Sequence, residues 1–303
     1  MVAIEVKELT KKYGDVKAVR RVSFSVNEGE IFGMVGPNGA GKTTTIECIE
    51  GLRKPDSGSI SVLGINPAKE REKLYDIIGV QLQEASYQDR IRVWELCELF
   101  SSFYKNPLPY KKLLSEFGME EKKNSFISRL SGGEKQRVSV ILALIGNPRV
   151  VFLDELTTGL DPQARRQMWE LVRNLKIEGR TIYLTTHYME EAEYLCDRVA
   201  IMDHGEIIAF DTPQNLIRSS GLEEAIIFTV HRELDLEILK NIVGVKAVSK
   251  KGDEITVLGM DKNLLNNLVS FLQKEGYEFS DLRYTRPNLE DVFLKLTGRQ
   301  IRE

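Results

Sequence analysis

Cysteine is scarce and scattered: Cys48, Cys97 and Cys196 stand far apart, with no C-x-x-C pair among them. An odd number cannot all pair within one chain, so no internal disulfide framework and no Cys/His zinc module is expected, and the thiols read as reduced and buried. Long apolar runs are missing too. The most apolar stretches, such as VSVILALIG from Val138, fall well short of the ~18–20 residues of a membrane span, and the opening MVAIEVKELTKKY has no apolar signal-peptide core. The expectation is a cytoplasmic chain; if it works at a membrane, another chain does the spanning. Nor is there an excess of one charge. The 42 basic and 45 acidic residues leave a net charge of -3, which gives no global electrostatic ground for nucleic-acid or anionic-membrane binding, with local patches left open. Internal repeats, heptads and low-complexity tracts are likewise lacking.

What is present suffices for two folded parts. A chain of 303 residues, 42% hydrophobic and 29% charged, has room for two domains, each with its own core. AIEVKEL and AVRRVSFSV alternate as antiparallel strands do, and the turn NEGE leads into an apolar strand, IFGMVG. KPDSGSISVLG reads as a turn and a short strand, and IIGVQLQ from Ile77 as another strand. VWELCELFSSFY and YKKLLSEFGM then read as helices, with Pro107 and Pro109 marking a break and EEKKNSF a polar connector. Together they predict a helical insertion over about residues 84–130. RVVFLDE, GRTIYLTTH and RVAIMDHGEIIAF return to strand, alternating with the helices QARRQMWELVRNLKIEG and YMEEAEYLCD, as a parallel α/β sheet does. Residues 1–211 are thus read as one domain, the polar TPQNLIRSSG as a linker over 212–220, and 221–303 as a second domain. Its order of strand, helix, strand, strand, helix, strand, closed by the helix NLEDVFLKLTG, predicts a small ferredoxin-like α+β unit.

The chemistry concentrates in the first part. GPNGAGKTT satisfies G-x-x-x-x-G-K-[ST] at Gly36, Gly41, Lys42 and Thr43, between a strand and a helix as the motif requires. Glycines let backbone N–H groups converge on an anion, and the following helix adds its unpaired first-turn N–H groups and positive dipole end. Lys42 adds a charge, and Thr43 a hydroxyl suited to hydrated Mg²⁺. The bland alternative is a glycine-rich turn that binds nothing. In VVFLDE an apolar strand delivers Asp154 and Glu155 to the carboxyl edge of a parallel sheet. There Asp154 can hold Mg²⁺ and Glu155 can orient an attacking water, though two helix-capping acids would read the same way. LSGGEKQR, Leu130–Arg137, places Ser131, Gly132 and Gly133 before a second helix. Either it caps that helix, or it is a second anion site that closes on a nucleotide held by another copy of the chain.

These motifs, in this order, make roughly residues 1–220 resemble the ATP-binding subunit of an ABC transporter. The resemblance implies a P-loop NTPase core with an antiparallel β subdomain and a helical insertion. It implies ATP contacts from Gly36, Asn38, Gly39, Gly41, Lys42, Thr43 and Thr44 in the Walker A loop, and Mg²⁺ held by Thr43, Gln83 and Asp154. Glu155, His187 and Gln83 would be catalytic: Glu155 in Walker B, His187 of YLTTH as the switch histidine, and Gln83 of VQLQEASY as the Q-loop sensor, with Gln81 two residues away as the competing position. Ser131, Gly132 and Gly133 match the signature that contacts the partner's γ-phosphate, and Asp161 of TTGLDP the D-loop at the dimer interface. Tyr13 matches the aromatic residue that stacks on adenine; it also reads as a strand-edge aromatic, and His187 alone as a core or capping histidine. Leu156 departs from the family, which usually has proline there; a freed φ and a restored N–H put the rigidity of the D-loop in doubt.

From the resemblance follow an ATPase working as a head-to-tail dimer, ATP and Mg²⁺ as its ligands, and a separate membrane permease as its partner. A peripheral location on the inner face of the cell membrane follows as well. Nucleic acid is not an expected partner. PNLEDVFLKLTGR, Pro287–Arg299, resembles the tail of drug, antibiotic and polysaccharide exporters, which sets the expected direction; its Leu289, Val292, Phe293 and Leu296 also fit a domain-closing helix. The rival readings are a non-transport ABC ATPase acting on ribosomes or nucleic acid, and an ATP-binding regulatory protein.

Overall fold

The computed structural model describes residues 1–81, 87–88, 90–230, 232, 234–261 and 263–298. Two long strands open the chain, β1 (Val2–Tyr13) and β2 (Val16–Asn27). Their buried residues alternate with exposed ones, Ile4 and Val6 on β1 and Val22, Phe24 and Val26 on β2, so one face is apolar. The apolar strand β3 (Ile31–Val35) follows and feeds helix α1 (Lys42–Ile49), strand β4 (Ser57–Val62), helix α2 (Arg71–Tyr75) and strand β5 (Ile78–Gln81). β4 pairs antiparallel with β1, completing the three-stranded sheet β2-β1-β4.

The insertion contains helices α3 (Val93–Ser101) and α4 (Tyr110–Glu116), then 3-10 turns at Glu120–Lys122 and Ile127–Arg129. Pro109 stands immediately before α4, where a missing N–H costs nothing. Helix α5 (Gly132–Leu144) leads out of it into β6 (Val150–Asp154), α6 (Pro162–Ile177), β7 (Thr181–Thr186) and α7 (Met189–Leu195). RVAIMDHGEIIAF is not one strand but a hairpin of β8 (Arg198–Asp203) and β9 (Glu206–Asp211). His204 and Gly205 both take positive φ at its turn, as a two-residue hairpin loop with the right twist requires.

The second sheet runs β5-β6-β7-β3-β8-β9, parallel except for the antiparallel edge strand β9. β3, β6 and β7 are buried along their whole length, as befits strands covered on both faces. Phe24 of β2 stacks on Phe32 of β3 at 5.1 Å, and Phe32 packs against Tyr183 of β7 at 5.3 Å, so one aromatic cluster joins the antiparallel sheet to the parallel one. All three cysteines are buried and free.

The described residues fall into two compact units, one ending at Pro213 and the other beginning at Gln214. The stretch expected as a linker is largely helical: Pro213, preset for a first helical position, opens α8 (Pro213–Ser219). The second unit runs β10 (Glu224–Val230), α9 (Leu236–Lys240), β11 (Val245–Lys251), β12 (Glu254–Gly259), α10 (Leu264–Lys274), β13 (Phe279–Thr285) and α11 (Leu289–Thr297). Its strands lie in the order β11-β12-β10-β13 with every neighbour antiparallel, a split βαβ arrangement. Leu264, Leu268 and Leu272 follow helical spacing and are fully buried on α10. On α11 the same spacing holds for Leu289, Val292 and Phe293, whereas Leu296, expected in that core, is exposed. Among the described residues no helix is long and apolar enough to cross a membrane.

Candidate active site

Strand register brings the chemistry together. β7 lies between β3 and β6, with Val35 beside Thr186 and Asp154 beside Thr185. The glycine-rich loop after β3, the acidic pair ending β6 and His187 after β7 therefore meet at one carboxyl edge, where ligands of parallel sheets bind.

In the loop, Gly36 and Gly41 take φ of 157° and 107°. A Cβ on Gly36 would stand 2.1 Å from the Met202 carbonyl oxygen, and one on Gly41 2.3 Å from that of Ala18, so β8 and β2 leave no room for a side chain at either position. Gly36 N donates to the Thr186 carbonyl at 3.3 Å, which ties the loop to β7. Lys42, only 4% exposed, donates through Nζ to the carbonyls of Gly36 at 2.8 Å and Pro37 at 3.1 Å. The same ammonium lies 3.5 Å from Glu155 Oε1. Thr43 and Thr44 follow in the first turn of α1, half-buried, and Asn38 and Gly39 are exposed at the loop's crest.

Glu155 is 8% exposed and holds φ at 48°, a left-handed conformation that few non-glycine residues adopt and that recurs at functional sites. Its N–H donates to both the carbonyl and the hydroxyl of Thr185, each at 3.1 Å. The Thr185 hydroxyl in turn donates to Asp154 Oδ1. Thr185 thus fixes both acids, a role not assigned from the sequence, where the only signal was a pair of threonines inside the apolar run YLTTH. His187 Nδ1 stands 3.5 Å from Glu155 Oε2, at the outer limit of a hydrogen bond, and makes no well-formed one.

Charges in this pocket shift one another. Beside His187 and then Lys42, the Glu155 carboxyl is held below the usual glutamate range despite its burial. Burial raises the Asp154 pKa, opposed first by the Thr185 hydrogen bond. Burial lowers that of Lys42, opposed by Glu155 and Asp154. One ammonium thus pairs with Glu155 and acts electrostatically on Asp154 at the end of the glycine-rich loop.

The other predicted residues lie elsewhere in the same unit. Ser131 caps α5 in a reciprocal box: its N–H donates to Glu134 Oε2 at 2.8 Å and its Oγ accepts from Glu134 N at 3.3 Å. Ser131 and Gly132 are exposed and Gly133 half-buried. Asp161 caps α6, accepting from the N–H groups of Gln163 at 3.0 Å and Ala164 at 2.9 Å. Tyr13 ends β1 with 42% of its surface exposed and Arg53 5.5 Å from its ring centre. Gln83 lies outside the described residues, and Gln81 is buried at the end of β5.

Comparison with known proteins agrees with this geometry. The ABC transporter family pattern matches residues 19–158. The chain is 38% identical to the Nod factor export ATP-binding protein I of Rhizobium etli, over 99% of this chain and 95% of that one. It is 34% identical to the linearmycin resistance ATP-binding protein LnrL of Bacillus subtilis, over 99% of this chain and 100% of that one. Among solved structures, an ATP-binding subunit of an ABC transporter superposes with a TM-score of 0.65 at 32% identity, over 72% of this chain and 93% of that one. A dimeric ATP-binding cassette in a post-hydrolysis state, bound to ADP and Pi, gives 0.63 at 26% identity, over 69% and 98%. Because the curated relatives match over almost their full lengths, and the strand edge carries the glycine-rich loop and acidic pair, the protein belongs to the ABC transporter family as one of its ATP-binding, ATP-hydrolysing subunits.

Proposed function

We propose that this chain powers a membrane exporter, forming an ATP-bound head-to-tail dimer and passing the movement to a separate permease. The observation that carries the hydrolytic part is the meeting of Lys42, Glu155 and His187, with contacts of 3.5 Å on either side of Glu155. The relatives named for Nod factor export and for linearmycin resistance support the direction. A location on the inner face of the membrane follows from that role.

In this reading the loop from Gly36 to Thr44, with Asn38, Gly39 and Gly41 between them, wraps the phosphates of ATP, and Lys42 supplies the positive charge. Tyr13, exposed at a strand end, offers a face for adenine. Thr43 and Asp154 offer the hard oxygen donors that Mg²⁺ takes, and Lys42, next to Thr43, is close enough for its charge to act on Asp154. Mg²⁺ bound there offsets charge on the phosphate oxygens. Glu155, kept ionised by its neighbours, accepts a hydrogen bond from the attacking water and orients it toward the terminal phosphate. His187 steadies Glu155 and faces the same phosphate. Ser131, Gly132 and Gly133 of one copy close on the nucleotide held by the other, and Asp161 borders that interface. Gln83 is assigned to sensing the nucleotide on the family resemblance alone. The residues from 221 onward serve as an accessory domain.

The test is the solution mass of the Glu155→Gln protein, by light scattering after gel filtration, with and without Mg-ATP. A shift from monomer to dimer that depends on ATP, together with lost phosphate release, is expected. Undiminished phosphate release would mean that Glu155 does not orient the attacking water.

A further inference from the structure

Glu191 is a buried carboxylate with no part in the chemistry above. It stands in the first turn of α7, 2% exposed, and side chains from two other segments hydrogen-bond to it. Thr157 Oγ1 donates to its Oε1 at 2.8 Å and Trp169 Nε1 to the same oxygen at 2.9 Å. A carboxylate so deeply buried is tolerated only when its oxygens are satisfied, so these partners are held as one unit.

The segments joined are the two that carry the hydrolytic residues. Thr157 follows Glu155 by two positions, in the turn where Leu156 replaces the proline usual in the family. Thr186 directly precedes His187, and its carbonyl accepts from Gly36 N at 3.3 Å. A second bridge runs alongside: Arg165 of α6 lies 4.1 Å from the Tyr188 ring centre, and Tyr188 packs against His187 at 4.1 Å. Without a proline to stiffen the turn, its order comes from the Thr158 N–H bond to the Glu155 carbonyl at 3.2 Å and from the Thr157 tether to Glu191.

We infer that Glu191 is a positioning residue: by tying Thr157, two residues after Glu155, to the first turn of α7, which begins two residues after His187, it sets the spacing between Glu155 and His187. The inference rests on the hydrolytic reading of those two residues.

Steady-state ATPase kinetics, ATP affinity and melting temperature, measured on the full chain, test it. Thr157→Val removes the hydroxyl at nearly constant volume and is expected to lower kcat about 10-fold with the Kd for ATP unchanged. Thr157→Ser keeps the hydroxyl and is expected to stay within about two-fold of the parent. Trp169→Phe removes a bond to the same oxygen from α6, outside the two loops, and should lower the melting temperature with a much smaller loss of kcat. Full kcat in Thr157→Val, or an equal loss in Trp169→Phe, overturns the positioning role. Should Thr157→Val fail to fold, Thr157→Ala carries the test, with a fall in kcat of at least about 3-fold expected and an unchanged kcat overturning the inference. Glu155→Gln separates the two readings. If it still hydrolyses ATP, the assignment of Glu155 fails; if it is inactive while Thr157→Val is not impaired, only the role of Glu191 fails.

Discussion

Lys42 Nζ lies 3.5 Å from Glu155 Oε1, although one opens the helix that follows β3 and the other the turn that follows β6, strands kept apart by β7. The contact spans one intervening strand because all three end at the same level. Lys42 pairs with a buried carboxylate and bonds the loop carbonyls of Gly36 and Pro37, and its proposed second purpose is to present charge to a phosphate. Lys42→Met should weaken Mg-ATP binding by about 10- to 100-fold, the loss of one or two charge-assisted hydrogen bonds. Titration calorimetry would measure it, and unaltered affinity would show that the backbone N–H groups alone hold the phosphates.

Gly41→Ala probes the backbone of the same loop. At φ of 107°, with the Ala18 carbonyl oxygen 2.3 Å from where the new Cβ would stand, the substituted residue cannot stay in place. The loop must shift, at a cost of roughly 1–3 kcal/mol in stability, and its N–H groups must leave the arrangement proposed to hold the phosphates. A lower melting temperature with ATP binding largely lost is expected. Retained binding would mean that the loop tolerates more than one shape.

Ser131 caps its own helix whether or not it also meets a nucleotide across a dimer, so the two roles need separate readouts. Ser131→Ala should destabilise the fold by about 1 kcal/mol through the lost cap, visible in chemical denaturation. In the Glu155→Gln background it should also abolish the ATP-dependent dimer while the single chain binds ATP as before. A dimer that survives would leave Ser131 with capping alone.

Much of this was legible in the sequence because the signals are local. Gly36 and Gly41 declare by spacing a tight turn between a strand and a helix, and the apolar run before Asp154 and Glu155 declares a buried strand with acids at its end. Thr185 and Glu191 were not legible, since their partners Asp154 and Thr157 are distant along the chain and meet them only through the parallel register of β6 and β7 and the packing of α7. The hairpin between β8 and β9 was read as one strand because His204 is an unusual residue to accept positive φ in a turn. Likewise TPQNLIRSSG, read as a linker, contains a helix opened by Pro213, since proline suits a first helical position as well as a turn.

Glu50 gives a pH dependence whose sign can be worked out. It follows α1, is almost wholly buried, and its pKa is pushed up to about 9 by burial first and then by the charges of Asp154 and Glu47. Unfolded, the same carboxyl ionises in the ordinary glutamate range, near pH 4.3. Between that value and about 9 the folded state therefore binds the extra proton, and stability falls as pH rises through the window. Glu50→Gln mimics the neutral form and escapes the loss. It should match the parent near pH 4 and exceed it by roughly 1–3 kcal/mol at pH 8, read as melting temperatures across a pH series. A difference that does not change with pH would mean that Glu50 ionises alike in the folded and unfolded chain, and that something near it compensates for its burial.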